Sequence, residues 1–196
     1  MHALPSPRRL GALAGAALLL TLAGTVPAVA AGTANPHDAS GKLGRGASAQ
    51  APAAGTPACL DIGKTRNNGD RAHLWQCSPS NANQRFVIDT GLVLVADTVG
   101  TGKEMCLDAG STRNNGDQVK IWQCSTSNAN PNQRWVVREG QFVVADTIDT
   151  GKEMCLDMGK TRNNGDLVHL WQCGSTNANQ QWVVQRGVIA AEDTAT

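Results

Sequence analysis

Three short runs along the chain alternate apolar and polar side chains with a period of two. Ala72 and Leu74 alternate with His73 and Trp75, Val119 and Ile121 with Lys120 and Trp122, Val168 and Leu170 with His169 and Trp171. Successive side chains of a strand point to opposite faces. Each run therefore predicts a strand with an aliphatic pair facing inward and a Trp sharing the outer face with His or Lys. Asn68-Gly69, Asn115-Gly116 and Asn164-Gly165 precede the runs. This dipeptide suits the type I′ hairpin turn, whose two central residues need positive φ. Apolar segments predict further strands at 84–88, 92–96, 133–137, 142–145, 181–184 and 188–191. About four short strands per run, about twelve in all, and no convincing helix make the chain all-β.

The pattern recurs because the sequence does. One copy runs from Cys59 to Phe86, a second from Cys106 to Trp135 and a third from Cys155 to Trp182; copies one and three agree at 20 of 28 positions. The second is two residues longer, in the loop around Pro131. The connectors repeat as well. Asp97-Thr98 leads into GTGKEMCLD and Asp146-Thr147 into DTGKEMCLD, while Asp193-Thr194 stops two residues later. The missing half of that third connector stands at the beginning of the repeats, as GTPACLD from Gly55. A ring with adjacent termini predicts this; an open solenoid with distinct caps does not. The three units span about 55–101, 102–150 and 151–196.

The first thirty residues read differently. Arg8 and Arg9 precede an uncharged stretch centred on Leu18, Leu19 and Leu20, and Ala28-Val29-Ala30 supplies small residues for cleavage. Residues 1–30 are thus expected to be a secretory signal peptide; an uncleaved membrane anchor is the rival reading. Residues 31–54, dominated by Ala, Gly, Ser and Pro, lack the apolar bulk to offset their ordering entropy and read as a flexible linker. Without Arg8 and Arg9 the 17 basic residues become 15, against 16 acidic ones, a net charge near −1. Such a balance gives no electrostatic drive toward nucleic acid or anionic lipid. Export also favours disulfides among the six cysteines. Cys59 and Cys77, Cys106 and Cys124, Cys155 and Cys173 share one spacing. Equivalent copies should pair equivalently, so one bridge per copy is favoured among the 15 possible pairings. A metal site is the weaker reading, since no two cysteines have CxxC spacing.

The CLD opening, the WQC segment and the closing Q-x-W (Gln84-Arg85-Phe86, Gln133-Arg134-Trp135, Gln180-Gln181-Trp182) resemble ricin B-type lectin domains, a family that includes bacterial xylan-binding modules. The resemblance spans residues 55–196. It implies a β-trefoil, a six-stranded barrel capped by three hairpins, with one shallow sugar pocket on each lobe. By position the pockets would use Asp61, His73, Trp75, Asn83 and Gln84; Asp108, Lys120, Trp122, Asn132 and Gln133; and Asp157, His169, Trp171, Asn179 and Gln180. A carboxylate accepts from two neighbouring hydroxyls, an amide donates and accepts, and an indole offers a flat wall to a pyranose. The Gln is expected to hold the Asp rather than touch the ligand. The Q-x-W aromatic is expected to be scaffold, and the CLD Asp has a competing role as a turn cap. Arg66, Arg113 and Arg162 of the RNNGD turns read as solvated. Lys120 and the Pro131 insertion set the second copy apart, so the first and third are the better sites.

No nucleophile–base–acid set, metal cluster or phosphate-cradling loop appears, and Asp61, Asp108 and Asp157 fall on separate lobes. The chain thus reads as a non-enzymatic, secreted carbohydrate-binding protein without cofactors, monomeric, with galactosides or xylan-type polysaccharides as expected partners. The alternative is an extracellular protein-binding trefoil, such as a protease inhibitor acting through the Pro131 loop.

Overall fold

A computed structural model describes residues 56–125 and 129–195. The expected signal peptide and linker lie outside the described residues. Twelve four-residue strands form three antiparallel sheets, and the repeat dictates their layout. In the first copy β1 (Ala58–Asp61) pairs with β2 (His73–Gln76), and β3 (Phe86–Asp89) with β4 (Leu92–Val95). The second copy supplies β5 (Met105–Asp108), β6 (Lys120–Gln123), β7 (Trp135–Arg138) and β8 (Gln141–Val144). The third supplies β9 (Met154–Asp157), β10 (His169–Gln172), β11 (Trp182–Gln185) and β12 (Val188–Ala191). Each sheet crosses a copy boundary, in the orders β3-β4-β5-β6, β7-β8-β9-β10 and β11-β12-β1-β2. The last sheet joins the end of the chain to its beginning, with Cys59 opposite Ala190 and Ala58 N donating to Thr194 Oγ1 at 2.9 Å. The ring inferred from the truncated connector is closed, and the fold is the β-trefoil.

Two triangles of backbone hydrogen bonds tie the copies together. In one, Ala72 N donates to Val119 O, Val119 N to Val168 O and Val168 N to Ala72 O. In the other, Phe86 N donates to Gly187 O, Trp135 N to Gly91 O and Trp182 N to Gly140 O. Between the strands lies one apolar core that includes Leu60, Leu74, Leu107, Ile121, Phe142, Leu156 and Leu170, all fully buried. The CLD strands show no alternation in sequence because both their faces are covered. The Q-x-W aromatics belong to the scaffold: Phe86, Trp135 and Trp182 are buried, and both indoles donate to strand carbonyls, of Leu107 and Leu156.

The three disulfides are Cys59–Cys77, Cys106–Cys124 and Cys155–Cys173, one per copy, each with a sequence separation of 18. A loop of that length contributes about 3 kcal/mol by restricting the unfolded chain.

Two local expectations are corrected. First, the Asn-Gly pairs are not type I′ hairpin turns. Only the glycines have positive φ, near 90°, and Asp70 N returns to Asn67 O, as in a type II turn. These turns reach the neighbouring copy instead, where Asn68, Asn115 and Asn164 accept from the backbone N–H of Gln123, Gln172 and Gln76. The type I′ hairpins are Thr90-Gly91, Glu139-Gly140 and Arg186-Gly187, with positive φ at both residues. Second, strands do not begin at Gln84, Gln133 or Gln181; short 3₁₀ turns end at Gln84, Gln133 and Gln180, and strands follow at Phe86, Trp135 and Trp182. Pro131 opens the 3₁₀ turn Pro131–Gln133 where Ala82 and Ala178 open the others, because proline's fixed φ suits a first helical position.

Candidate functional site

Strand register assembles the site. Asp61 stands opposite His73 and Cys59 opposite Trp75, so these four residues share one face of the β1–β2 pair, while Leu60 and Leu74 share the core face. The same register puts Asp108 opposite Lys120 and Asp157 opposite His169. Inward, the aliphatic partners are fully buried; outward, Trp75, Trp122 and Trp171 are 45%, 42% and 43% exposed. The period-two reading of the sequence holds for all three.

Each Asp is held before any ligand arrives. Asp61 Oδ1 accepts from Gly63 N at 2.7 Å, and Asp108 and Asp157 repeat the contact with Gly110 and Gly159. The turn-capping role is therefore real, and it leaves the carboxylate at the floor of the pocket, 3–4% exposed. Gln133 and Gln180, fully buried, donate to Oδ2 of Asp108 and Asp157 at 3.1 and 3.0 Å. Asn81 and Asn177 add a donor to Oδ2 of Asp61 and Asp157 and also cap the 3₁₀ turns. In the first copy the pocket over this floor holds about 590 Å³ and is lined by Asp61, His73, Trp75, Asn81 and Asn83 among others. In the second copy it shrinks to about 220 Å³. There Lys120 Nζ lies over the Trp122 ring, 5.2 Å from its centroid.

Sequence reasoning missed the arginines. Arg66, Arg113 and Arg162 are not simply solvated; their side chains are 20%, 20% and 13% exposed and grip Asp97, Asp146 and Asp193 with two nitrogens each. Nη1 donates to the carbonyls of Gly63, Gly110 and Gly159, and Nη2 to Oδ1 of Asn83, Asn132 and Asn179. The fixed fork of donors orients each Asn with its Oδ1 toward the guanidinium. The exact repetition of Arg and Asp at one spacing in every copy was the available signal. Arg66→Ala is expected to lower thermal stability by about 1–2 kcal/mol, since charge-assisted bonds of a half-buried arginine are lost. Calorimetry checks that loss, and a weakened first pocket should accompany it.

His73 faces two acceptors. Its Nδ1 lies 3.1 Å from Arg71 O and its Nε2 3.4 Å from Asp61 Oδ1. The hydrogen bond to Asp61 raises the His73 pKa against the opposing effect of burial, with further help from the Arg71 carbonyl and the Asp61 charge. For Asp61, burial pushes upward, but the bonds from His73 and Gly63 N and the His73 charge together bring it below its ordinary value. Stability from the raised histidine is complete below pH 6.5 and is lost as pH climbs through the folded value. Stability from the lowered aspartate is complete above pH 3.8 and is lost as pH falls through its depressed value. The pair is tightest between those limits. An NMR titration of the His73 ring should give a midpoint above 6.5, and Asp61→Asn should lower it, because the charge and carboxylate bond of Asp61 are lost while burial still opposes the Arg71 carbonyl. His169 repeats the geometry, with Nε2 3.5 Å from Asp157 Oδ1 and its ring 5.9 Å from that of Trp171.

The profile of the ricin-type beta-trefoil lectin domain matches residues 96–194, half of the chain. Three solved structures are similar. The β-trefoil lectin of the Vibrio vulnificus hemolysin/cytolysin, with N-acetyl-D-lactosamine bound, is 18% identical with a TM-score of 0.48, over 68% of this chain and 87% of that one. The C-half of an earthworm R-type lectin in complex with GalNAc is 19% identical with a TM-score of 0.46, over 70% of this chain and 98% of that one. A designed threefold-symmetric protein, ThreeFoil, is 19% identical with a TM-score of 0.47, over 64% of this chain and 88% of that one. No curated protein sequence matches at a significant level.

Proposed function

Since the chain belongs to the ricin-type β-trefoil lectin domain family, which makes carbohydrate its partner, we propose that it is a secreted, non-enzymatic, multivalent lectin whose principal pockets are those of the first and third copies. One observation carries this reading: in each copy an indole more than 40% exposed flanks a carboxylate fixed by buried hydrogen bonds. The indole would stack on the C–H face of a pyranose. Asp61 and Asp157 would accept from hydroxyls at the pocket floor, with Asn83 and Asn179 donating and His73 and His169 at the wall. Gln84 and Gln180 position the carboxylates from behind, and Gln133 does the same for Asp108 in the second, altered pocket, where Trp122, Lys120 and Asn132 form the rim. Each Asp serves its own lobe, which suits repeated weak binding rather than one asymmetric catalytic centre. Joint engagement of a polysaccharide or a glycan-covered surface multiplies avidity roughly 10²–10⁴-fold where the geometry permits. Among the described residues nothing favours the inhibitor reading; Pro131 opens a 3₁₀ turn equivalent to those of the other copies.

Galactosides and xylan-type chains are the expected ligands. A glycan array probed with residues 55–196 tests the proposal: signal on one sugar class, lost on Trp75→Ala/Trp171→Ala, supports it, and a blank array for the intact domain refutes it.

A further inference from the structure

The three copies differ where their strands meet. Three isolated bridges join neighbouring copies, and the residues standing opposite one another are His73 with Leu167, Gln118 with His169, and Arg71 with Lys120. Directly opposed residues of an antiparallel pair lie on one face, about 5 Å apart at Cβ. Only the last seam pairs two permanent cations, an arrangement that costs stability rather than adding to it. Among the described residues neither cation forms an ion pair; Lys120 stands opposite Asp108 in the β5–β6 register without bridging it, and lies over the ring of Trp122.

These cations border two adjoining hollows. One, of about 220 Å³, holds Asp108, Trp122, Asn130 and Asn132; the other, of about 390 Å³, holds Arg71, Thr112, Asp117 and Gln118; Gly110, Ser111 and Lys120 line both. The two carboxylates present are already engaged. Asp117 Oδ2 accepts from Thr112 Oγ1 and Asn114 N, both at 2.7 Å, and Asp108 accepts from Gly110 N and Gln133 Nε2. Gln118 Oε1 is buried without a hydrogen-bond partner. Such an orphan calls for an explanation, and a side-chain rotation into the hollow would present it to a hydroxyl.

We infer that the seam between the first and second copies is an anion subsite, formed by Arg71 and Lys120, that makes the second pocket selective for acidic glycans. This rests on the lectin reading and gives it a ligand class: a pyranose over Trp122 and Asp108 whose carboxylate or sulfate ester lies between the guanidinium and the ammonium. Lys120, which hinders a neutral sugar by sitting at the indole, would swing to the anion and free the ring. The whole domain, near neutral overall, would then bind neutral sugar at two lobes and acidic sugar at the third.

The test uses the full domain and three matched oligosaccharide sets, neutral galactosides, galacturonides and 6-sulfated galactosides, titrated calorimetrically at low and high salt. The intact domain should bind one or both acidic sets with an additional class of site that weakens as salt rises. Arg71→Gln should reduce that binding about threefold, the loss of one exposed charge contact, and leave neutral binding at the first and third pockets unchanged. The galacturonide and sulfated arms tell carboxylate from sulfate. If neutral sugars bind while the acidic sets show no extra site and no response to Arg71→Gln, the subsite is refuted and the lectin reading stands. If no sugar of any set binds, both fall.

Discussion

Replacing Trp75 and Trp171 together with alanine is expected to reduce avidity for a multivalent glycan about 100-fold while leaving the fold intact. Stacking of a sugar on an indole contributes about 1–1.5 kcal/mol, or roughly tenfold per site, and linked sites multiply. Both rings are more than 40% exposed and lie on the outer face of their strands, so truncation opens no cavity. The melting temperature should move little, with a stability change of about 1 kcal/mol or less. Surface plasmon resonance on an immobilised polysaccharide, read beside a thermal melt, separates the two effects. Loss of binding together with loss of the fold would show that these residues are scaffold.

Trp182→Ala should do the opposite, destabilising the domain strongly while belonging to no pocket. Its side chain is 3% exposed and its Nε1 donates to Leu156 O at 3.0 Å. Truncating a buried aromatic costs about 3–5 kcal/mol, and here it also strands a carbonyl. Against a net stability of roughly 5–15 kcal/mol this is a large fraction, lowering the melting temperature by roughly 15 °C. Trp182→Phe should lose far less, because Phe86 fills the equivalent place in the first copy. Calorimetry of the two variants checks both statements. Two residues of one type thus have opposite fates, decided by which side of a four-residue strand they occupy.

Much of this was legible in the sequence, for definable reasons. The repeat and the split connector encode closure directly, because equivalent residues must form equivalent contacts. Period-two alternation separates Leu74 from Trp75 and needs no tertiary information. Burial of Phe86, Trp135 and Trp182 was legible only through family resemblance, since their strands expose the two or three residues that follow. The Asn-Gly turns misled because local propensity is silent on which strand a turn will meet; Gly69 N bonds Ile121 O in the next copy, a contact no local rule supplies. The true type I′ turns carry Thr90, Glu139 and Arg186 at a left-handed position, where tertiary pairing overrides residue preference. The forks of Arg66, Arg113 and Arg162 span 31 or 33 residues to their aspartates, beyond any local reading. The anion seam depends on which copies lie side by side, and only the assembled ring brings Arg71 against Lys120.

The chain has five tryptophans and therefore five indole N–H signals. A ¹⁵N-resolved NMR titration of residues 55–196 with the glycan selected by the array should move the Trp75 and Trp171 indole signals together, at one affinity, and leave those of Trp135 and Trp182 in place. Saturable binding that leaves the Trp75 and Trp171 signals unmoved would contradict the placement of the pockets.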